Sequence, residues 1–153
     1  MKKMTSIIAI ILLAALLLTG CDFIPLKKDF SQYGFTITIA GKVTEDEGNT
    51  HGNASLYTKY GKMNFYRHNA VTLLTAELFL TTAESKETLE NGARLFTFAP
   101  QESDASIVIE TSYLLTVSDG STWHISCITP QDDYDKDALI KVLTSVKFDA
   151  IQE

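Results

Sequence analysis

Alternating apolar and polar positions predict β-strands over much of the chain. From Phe35 to Ala40, apolar residues at positions 35, 37 and 39 alternate with small or polar ones, which is the period of a strand with one apolar face. Two more alternating runs, 54–60 and 63–68, lie on either side of Gly61 and predict a hairpin. Another run extends from Arg94 to Ala99 and is stopped by Pro100.

The C-terminal third contains the clearest hairpin signal. Runs 107–117 and 122–129 flank Asp119-Gly120, a pair that supplies the two positive-φ positions of a type I′ turn. A two-residue turn there pairs Val117 with Thr122 and Leu115 with His124. In this register both faces of the hairpin are substantially apolar, so we expect cover, by helices, on each side. The two faces are Leu114, Trp123, Ile125 and Cys127 on one side, and Tyr113, Leu115, Val117 and Ile128 on the other.

Helical patterns appear in three other segments. After Pro130, an acidic first turn at residues 131–133 precedes an apolar stripe at positions 138, 139, 142, 143 and 146, which predicts a closing helix. Residues 82–91 predict a short surface helix, with Thr82 as its cap and Gly92 at its end. Val71 to Leu80 contains both β-branched residues and leucines, so it fits a strand or a helix, and we favour the strand. The polar segments 45–49 and 101–105 are predicted to be loops.

The first residues have the pattern of an export signal. Lys2 and Lys3 precede twelve residues, 7–18, that are all Ile, Ala or Leu. This run is shorter than the roughly 20 apolar residues that a membrane-spanning helix needs. The segment Leu18-Thr19-Gly20-Cys21 resembles the lipobox of bacterial lipoproteins. The resemblance implies that the Cys21 sulfur receives a diacylglycerol, that the bond between Gly20 and Cys21 is then cut, and that acyl chains such as palmitate anchor the product. The alternative is an ordinary cleaved signal with an incidental cysteine.

These features divide the chain into three parts. They are a lipoprotein signal peptide (1–20), a lipidated tether (21–32) and a single α+β domain (33–150). The 133 residues from Cys21 onward suffice for one core without a disulfide or a metal. With Cys21 acylated, Cys127 has no partner in the chain, and we predict a small buried apolar residue there rather than a reactive thiol.

Charge narrows the range of partners. Two of the 13 Lys and Arg lie in the signal, so the mature chain carries 11 basic and 19 acidic residues, a net charge of −8. This balance argues against binding nucleic acid. It also argues against broad electrostatic adhesion to anionic lipid. We therefore expect contact with the membrane through the lipid on Cys21.

The predicted domain resembles a known group of small sandwich folds. The segment 34–39, Gly-Phe-Thr-Ile-Thr-Ile, and the closing unit from Ser112 to Phe148, a strand, Pro130, an acidic helix and Ser-Val-Lys-Phe, are similar to the PsbP/Mog1-like group. The resemblance implies an antiparallel β-sheet covered by helices, that is, a PsbP/Mog1-like α/β sandwich. Members of this group are mostly accessory proteins without a shared catalytic motif, so the resemblance carries no functional residue over to this chain.

Candidate metal and catalytic residues give weak signals. Asp133, Asp135 and Asp137 alternate like the first ligands of an EF-hand loop, but Ala138 stands where that loop needs glycine and Thr144 where it needs glutamate. We therefore predict a capped helix start there. The histidines at positions 51, 68 and 124 lack the spacing of a zinc motif, although they could converge in space. No nucleophile elbow, P-loop or dinucleotide-binding glycine motif occurs, so no catalytic residue, metal or cofactor is assigned.

Four aromatic residues cluster in the second hairpin: Tyr57, Tyr60, Phe65 and Tyr66. Core packing and cross-strand pairing explain them most simply. An exposed patch for an envelope protein, peptide or glycan is the alternative.

The sequence as a whole predicts a membrane-anchored lipoprotein on the extracytoplasmic face of the cell membrane. We expect it to act as a non-catalytic binding or accessory module. Two alternatives stay open. One is an envelope hydrolase whose site is assembled from separate strands, and the other is a purely structural lipoprotein.

Overall fold

The described part of the chain folds into a mixed α+β structure with antiparallel sheets and two α-helices. In the computed structural model, the described residues are 24–47, 53–103 and 106–149. The helices are α1 (Ala70–Leu80) and α2 (Lys136–Thr144). The strands are β1 (Leu26–Phe30), β2 (Phe35–Ile39), β3 (Thr44–Glu45), β4 (Ala54–Thr58), β5 (Gly61–His68), β6 (Ser85–Thr88), β7 (Arg94–Thr97), β8 (Gln101–Ser103), β9 (Ser106–Thr116), β10 (Thr122–Pro130) and β11 (Lys147–Phe148). None of the helices in these ranges has the length and apolar character needed to cross a membrane.

Two sheets organise the part of the molecule that the structure describes. The larger sheet has the order β3-β4-β5-β10-β9-β7-β6, with β8 paired to β9 at one end, and the smaller one has the order β1-β2-β11. Every strand pair is antiparallel. Strand β10 pairs with both β5 and β9, so it lies at the centre of the larger sheet and its side chains reach both faces.

The main core lies between the two sheets. Phe35 of β2 stacks on Phe65 of β5 with ring centroids 4.1 Å apart, and Trp123 of β10 stacks on Phe148 at 4.5 Å. Helix α2 closes this layer. Its C-cap residue, Ser145, joins it to β2, since the Ser145 hydroxyl donates to the Thr38 carbonyl at 3.0 Å. A smaller cluster joins α1 to the opposite face of the larger sheet: Leu80 of α1 packs with Phe96, Phe98 and Leu114. The larger sheet is thus covered on both faces, as predicted, but a second sheet provides part of the cover that we expected from helices alone.

The β9–β10 hairpin is confirmed, but its predicted register is wrong by one residue. Thr116 pairs with Thr122, and Leu114 pairs with His124. The loop is longer than two residues because the Val117 N–H donates to the Ser121 carbonyl, and Gly120 (φ 81°) closes a turn within it. A shift of one residue moves side chains to the opposite face.

The faces predicted for this hairpin are corrected accordingly. Tyr113 and Leu115 share the main core face with Ile125 and Trp123, whereas Leu114 lies on the α1 face with His124.

The segment Val71–Leu80, predicted as a strand, is helical. Asn69 caps helix α1: its Oδ1 accepts from the N–H groups of Val71 (3.1 Å) and Thr72 (2.9 Å), and the Thr72 hydroxyl accepts from the Asn69 N–H. This reciprocal cap satisfies N–H groups that a helix start otherwise leaves open. The cap therefore outweighs the strand preference of the β-branched residues.

The surface helix predicted for residues 82–91 is also wrong. Thr82 contacts the end of α1 instead, donating its hydroxyl to the Phe79 carbonyl at 2.8 Å. The segment continues as β6, which pairs with β7. Gly92 has the positive φ expected of a chain reversal, 81°, but it serves the β6–β7 turn. The polar segment has no apolar stripe to hold a helix against the core, so strand pairing determines its structure.

Two segments predicted to be irregular contain strands. Leu26–Phe30, within the predicted tether, forms β1 and pairs with β2. Gln101–Ser103, within a predicted loop, forms β8 against β9. Both are edge segments whose sequence lacks a clear period of two, so their extended conformation depends on hydrogen bonding to the neighbouring strand.

The closing helix is confirmed, although it begins after Asp135 rather than at residue 131.

Candidate functional site

A groove of about 430 Å³ lies between helix α1 and the larger sheet. We call it the α1 groove. One wall is formed by α1 and the floor by β5, β9 and β10, whose residues on this face follow the period of two. The lining residues are Thr72, Thr75, Ala76 and Phe79 from α1, and Tyr66, His68, Glu110, His124 and Ser126 from the sheet. The groove therefore combines an apolar helical wall with a polar sheet floor.

A chain of side-chain contacts crosses the floor. His68 Nε2 lies 3.3 Å from His124 Nδ1, and His124 Nε2 lies 2.9 Å from Ser112 Oγ. Each contact requires one atom to donate and the other to accept, so adjacent rings cannot both direct an N–H into their shared contact. The side chain of Ser112 is fully buried at the inner end of this chain, and His68 lies at its outer, partly exposed end.

Burial keeps both imidazoles neutral near pH 7. Desolvation, with a smaller contribution from the charge of His68, lowers the pKa of His124 to about 4. Desolvation also lowers the pKa of His68. The pKa of Tyr66 is raised, first by desolvation and then by the negative charge of Glu110. The floor thus carries hydrogen-bonding groups without positive charge at neutral pH.

Glu110 and Ser126 form a second polar pair in the groove. The Ser126 hydroxyl donates to Glu110 Oε1 at 2.8 Å. Ser126 and His124 are two residues apart on β10 and therefore share a face of the sheet. Of the residues that line the groove, Glu110 alone carries a formal charge at neutral pH.

Helix α1 is apolar on its outer side as well. Val71, Leu74 and Leu78 are 74%, 68% and 72% exposed, and their spacing of three and four residues places them on one stripe. We call these three residues the α1 stripe. A helix of a globular protein usually presents polar residues to solvent, and contiguous exposed apolar surface is typical of binding sites. Apolar groups therefore lie on both sides of α1.

A neighbouring cleft of about 460 Å³ lies at the C-terminal end of α1, against β6 and β7. Its charged groups are engaged with other groups of the protein. Arg94 pairs with Glu77 at 2.7 Å, and the Lys86 ammonium donates to the Thr81 carbonyl at 3.3 Å. Because Arg94 and both carboxylates of this cleft, Glu77 and Glu87, already form ion pairs within the protein, the α1 groove is the better candidate site.

The four aromatic residues singled out from the sequence do not share one surface. Phe65 is fully buried in the main core. Tyr57 is exposed and its hydroxyl donates to Asp46 at 3.4 Å, while the carbonyl of Tyr60 accepts from Thr129 at 2.6 Å. Tyr66 lines the α1 groove, with its ring centroid 5.4 Å from that of His124. Of the four, Tyr66 is therefore the one placed at the candidate site.

The histidines converge in part. His68 and His124 contact each other, whereas His51 lies outside the described residues. The sequence predicts His124 beside Leu115, but it lies across from Leu114 and Tyr66 because of the corrected register. Within the described part of the chain, no group of three His, Cys, Asp or Glu side chains is arranged to hold a metal ion.

Cys127 and Asp135 have the structural roles expected of them. Cys127 is fully buried, and burial raises the pKa of its thiol to about 11. Asp135 caps α2, its Oδ1 accepting from the Ala138 N–H at 3.0 Å. The residues of the predicted lipobox, including Gly20 and Cys21, lie outside the described residues.

Sequence reasoning did not identify Glu110, Ser126 or the helical wall of the groove. The spacing of His124 and Ser126 places them on one face of any strand, and Asn69 followed by Thr72 is a capping pattern for a helix. These two signals point to the polar floor and to the start of α1. The contact between the polar floor and α1 depends on pairing between strands that are far apart in sequence.

Comparisons with protein-family models, with curated proteins and with solved structures found no match to this chain.

Proposed function

We propose that this protein is a lipid-anchored lipoprotein on the extracytoplasmic face of the cell membrane and acts as a non-catalytic binding module. Its recognition surface is helix α1, comprising the α1 stripe outside and the α1 groove inside. The observation that carries the proposal is the apolar character of both sides of this helix, combined with a floor of hydrogen-bonded polar groups. Small-molecule sites are typically clefts of this size with a few placed polar groups.

The contacts of the floor do not favour a hydrolase. Ser112 contacts the imidazole of His124, but its side chain has no exposed surface from which to attack a substrate. A nucleophile must reach the substrate as well as its base. Ser126 lines the groove, and its hydroxyl is directed to the carboxylate of Glu110 rather than to a histidine. We therefore assign hydrogen-bonding roles to these serines.

We also propose that the fold is a variant of the PsbP/Mog1-like sandwich. An antiparallel sheet with a closing strand-Pro130-helix unit supports this assignment. The accessory roles of that group agree with a binding module. A structure-based superposition on members of the group that placed the closing unit on a different edge of the sheet would refute this assignment.

The anchor is tested by intact mass spectrometry of the protein isolated from membranes. The wild-type product is expected to begin at Cys21 and to carry the added mass of a diacylglycerol. Cys21→Ser is expected to lose the lipid and to keep residues 1–20, because cleavage follows acylation in lipoproteins. Cys127→Ser is the matched control and is expected to be acylated and cleaved normally. A wild-type product with an unmodified Cys21 would refute the anchor.

The recognition surface is tested with the double substitution Leu74→Glu and Leu78→Glu. Both side chains are mostly exposed, so the change in unfolding free energy is expected to stay within about 1 kcal/mol. Quantitative co-purification from solubilised membranes is expected to recover a stoichiometric partner or ligand with the wild type and about a hundredfold less with this variant, since each of the two apolar side chains contributes about 1.5 kcal/mol or more when buried.

The matched control for this experiment is Ile107→Glu. Ile107 is also an exposed aliphatic residue, but it lies on β9 away from the α1 stripe. It is expected to retain wild-type recovery. Equal losses with both variants would contradict the proposed surface, and recovery of nothing with the wild type would favour a purely structural lipoprotein.

A further inference from the structure

We propose that the α1 groove binds a small organic ammonium ion with an apolar body. This inference rests on the proposed binding role of the groove and adds the chemical class of the ligand. It follows from the charge of the floor, the aromatic and apolar walls, and the volume of the groove.

Glu110 gives the groove an uncompensated negative charge. Its Oε1 accepts from the Ser126 hydroxyl at 2.8 Å, but no lysine or arginine in the described ranges lies within ion-pair distance of it. Two basic residues of neighbouring strands, which the strand register places on this face, pair with other carboxylates. Lys62 pairs with Asp46 at 2.8 Å, and Arg94 pairs with Glu77 at 2.7 Å.

The histidines of the floor do not neutralise this carboxylate. The 3.3 Å contact between His68 Nε2 and His124 Nδ1 requires one of these nitrogens to be unprotonated. His124 is buried and His68 is partly buried, which disfavours the charged form of both rings. Among the described residues, a cationic ligand therefore meets Glu110 with no positively charged side chain within ion-pair distance of it.

The remaining surface suits the apolar body of such a ligand. Phe79 and Tyr66 contribute aromatic rings, and Ala76 with the methyl groups of Thr72 and Thr75 completes an apolar wall. Aromatic faces attract organic cations in addition to burying their hydrocarbon parts. A groove of about 430 Å³ is large enough for a small aromatic amine.

The test is calorimetric titration of the mature lipidated protein in phosphatidylcholine nanodiscs, with empty nanodiscs as background. Three probes share the same phenyl body: phenethylammonium, phenylpropionate and phenethyl alcohol. Phenethylammonium is expected to bind at least about tenfold more tightly than the other two, because it alone gains the charge-assisted contact with Glu110. Chemical-shift changes at Ala76 and at the His68 and His124 rings are expected to locate it in the groove.

Variants isolate the role of the carboxylate. Glu110→Gln keeps an acceptor for Ser126 but removes the charge, and it is expected to weaken phenethylammonium binding about tenfold. Glu102→Gln removes the same charge from an exposed position on β8, and it is expected to leave binding unchanged. Unaltered binding in Glu110→Gln, or equal affinity for phenethylammonium and phenylpropionate, would overturn the inference.

The outcome of the calorimetric titration can be distinguished from the outcome of the co-purification that tests the proposed function. Equal binding of the alcohol and the ammonium probe, with shifts in the groove, would overturn the charge preference and leave the groove as a site for neutral ligands. Absence of binding by every probe would also overturn the ammonium inference. The co-purification that depends on the α1 stripe uses no ammonium probe, so it judges the binding module independently.

Discussion

Gly61→Ala is expected to lower the free energy of unfolding by about 4 kcal/mol or more. Gly61 begins β5 with φ at 103°, a region that residues with a Cβ rarely adopt. A Cβ at this position would lie 2.1 Å from the carbonyl oxygen of Ile128 and 2.9 Å from the Cα of Thr129. These atoms are backbone of β10, so relief requires β5 to separate from the central strand of the larger sheet.

Gly92→Ala is the matched control for this substitution. Gly92 also has a positive φ, 81°, but an added Cβ meets no atom within 4 Å. It is expected to cost about 1 kcal/mol, from backbone strain alone. Thermal unfolding of the protein, followed by circular dichroism, is expected to show a decrease in Tm of more than about 10 °C for Gly61→Ala and a much smaller one for Gly92→Ala. Equal decreases would show that contact with β10 is unimportant.

The close approach at Gly61 illustrates what the sequence reveals and what it does not. The position of a turn is visible locally, since Gly61 separates two alternating runs. The reason that glycine is required is not local, because the atoms of Ile128 and Thr129 that exclude a Cβ come from a strand more than sixty residues away. Local patterns therefore predicted the hairpins and the closing helix, whereas contacts between distant segments were not accessible.

The errors at α1 and at the β9–β10 hairpin have different physical causes. At α1, residue composition allowed two structures, and a single capping residue, Asn69, decides between them. At the hairpin, Asp119-Gly120 correctly marks the turn, but the backbone bond from Val117 to Ser121 lengthens the loop and shifts the register. That shift determines which residues lie beside His124, so the candidate site could not be assembled from the sequence even though several of its residues had been singled out.

A buried histidine on the floor of the α1 groove affects the stability of the fold as well as the proposed binding role. His124 is almost completely buried on the floor, between His68 and Ser112. A fully hydrogen-bonded neutral imidazole is tolerated there, but a charged one loses its hydration and meets a second histidine. The polar floor that makes the groove specific is therefore expected to make the fold sensitive to acid.

Acidification from pH 7 to pH 4 is expected to remove about 3 kcal/mol of stability through His124. Its pKa falls from 6.5 to about 4 on folding, chiefly by desolvation. Between these values the unfolded chain takes up a proton that the folded protein does not, so stability decreases as the pH falls. Well below pH 4 both states are protonated and this group adds no further loss. His68, whose pKa is also lowered, acts in the same direction.

His124→Gln separates this effect from the titration of carboxylates, which both proteins share. The variant is expected to be less stable than the wild type at pH 7, because it replaces a packed ring, but to lose about 3 kcal/mol less between pH 7 and pH 4. Thermal unfolding across this range supplies the comparison, and NMR titration of the His124 ring is expected to give a midpoint near 4. A midpoint near 6.5, or parallel pH profiles for the two proteins, would show that the imidazole is not held neutral by burial.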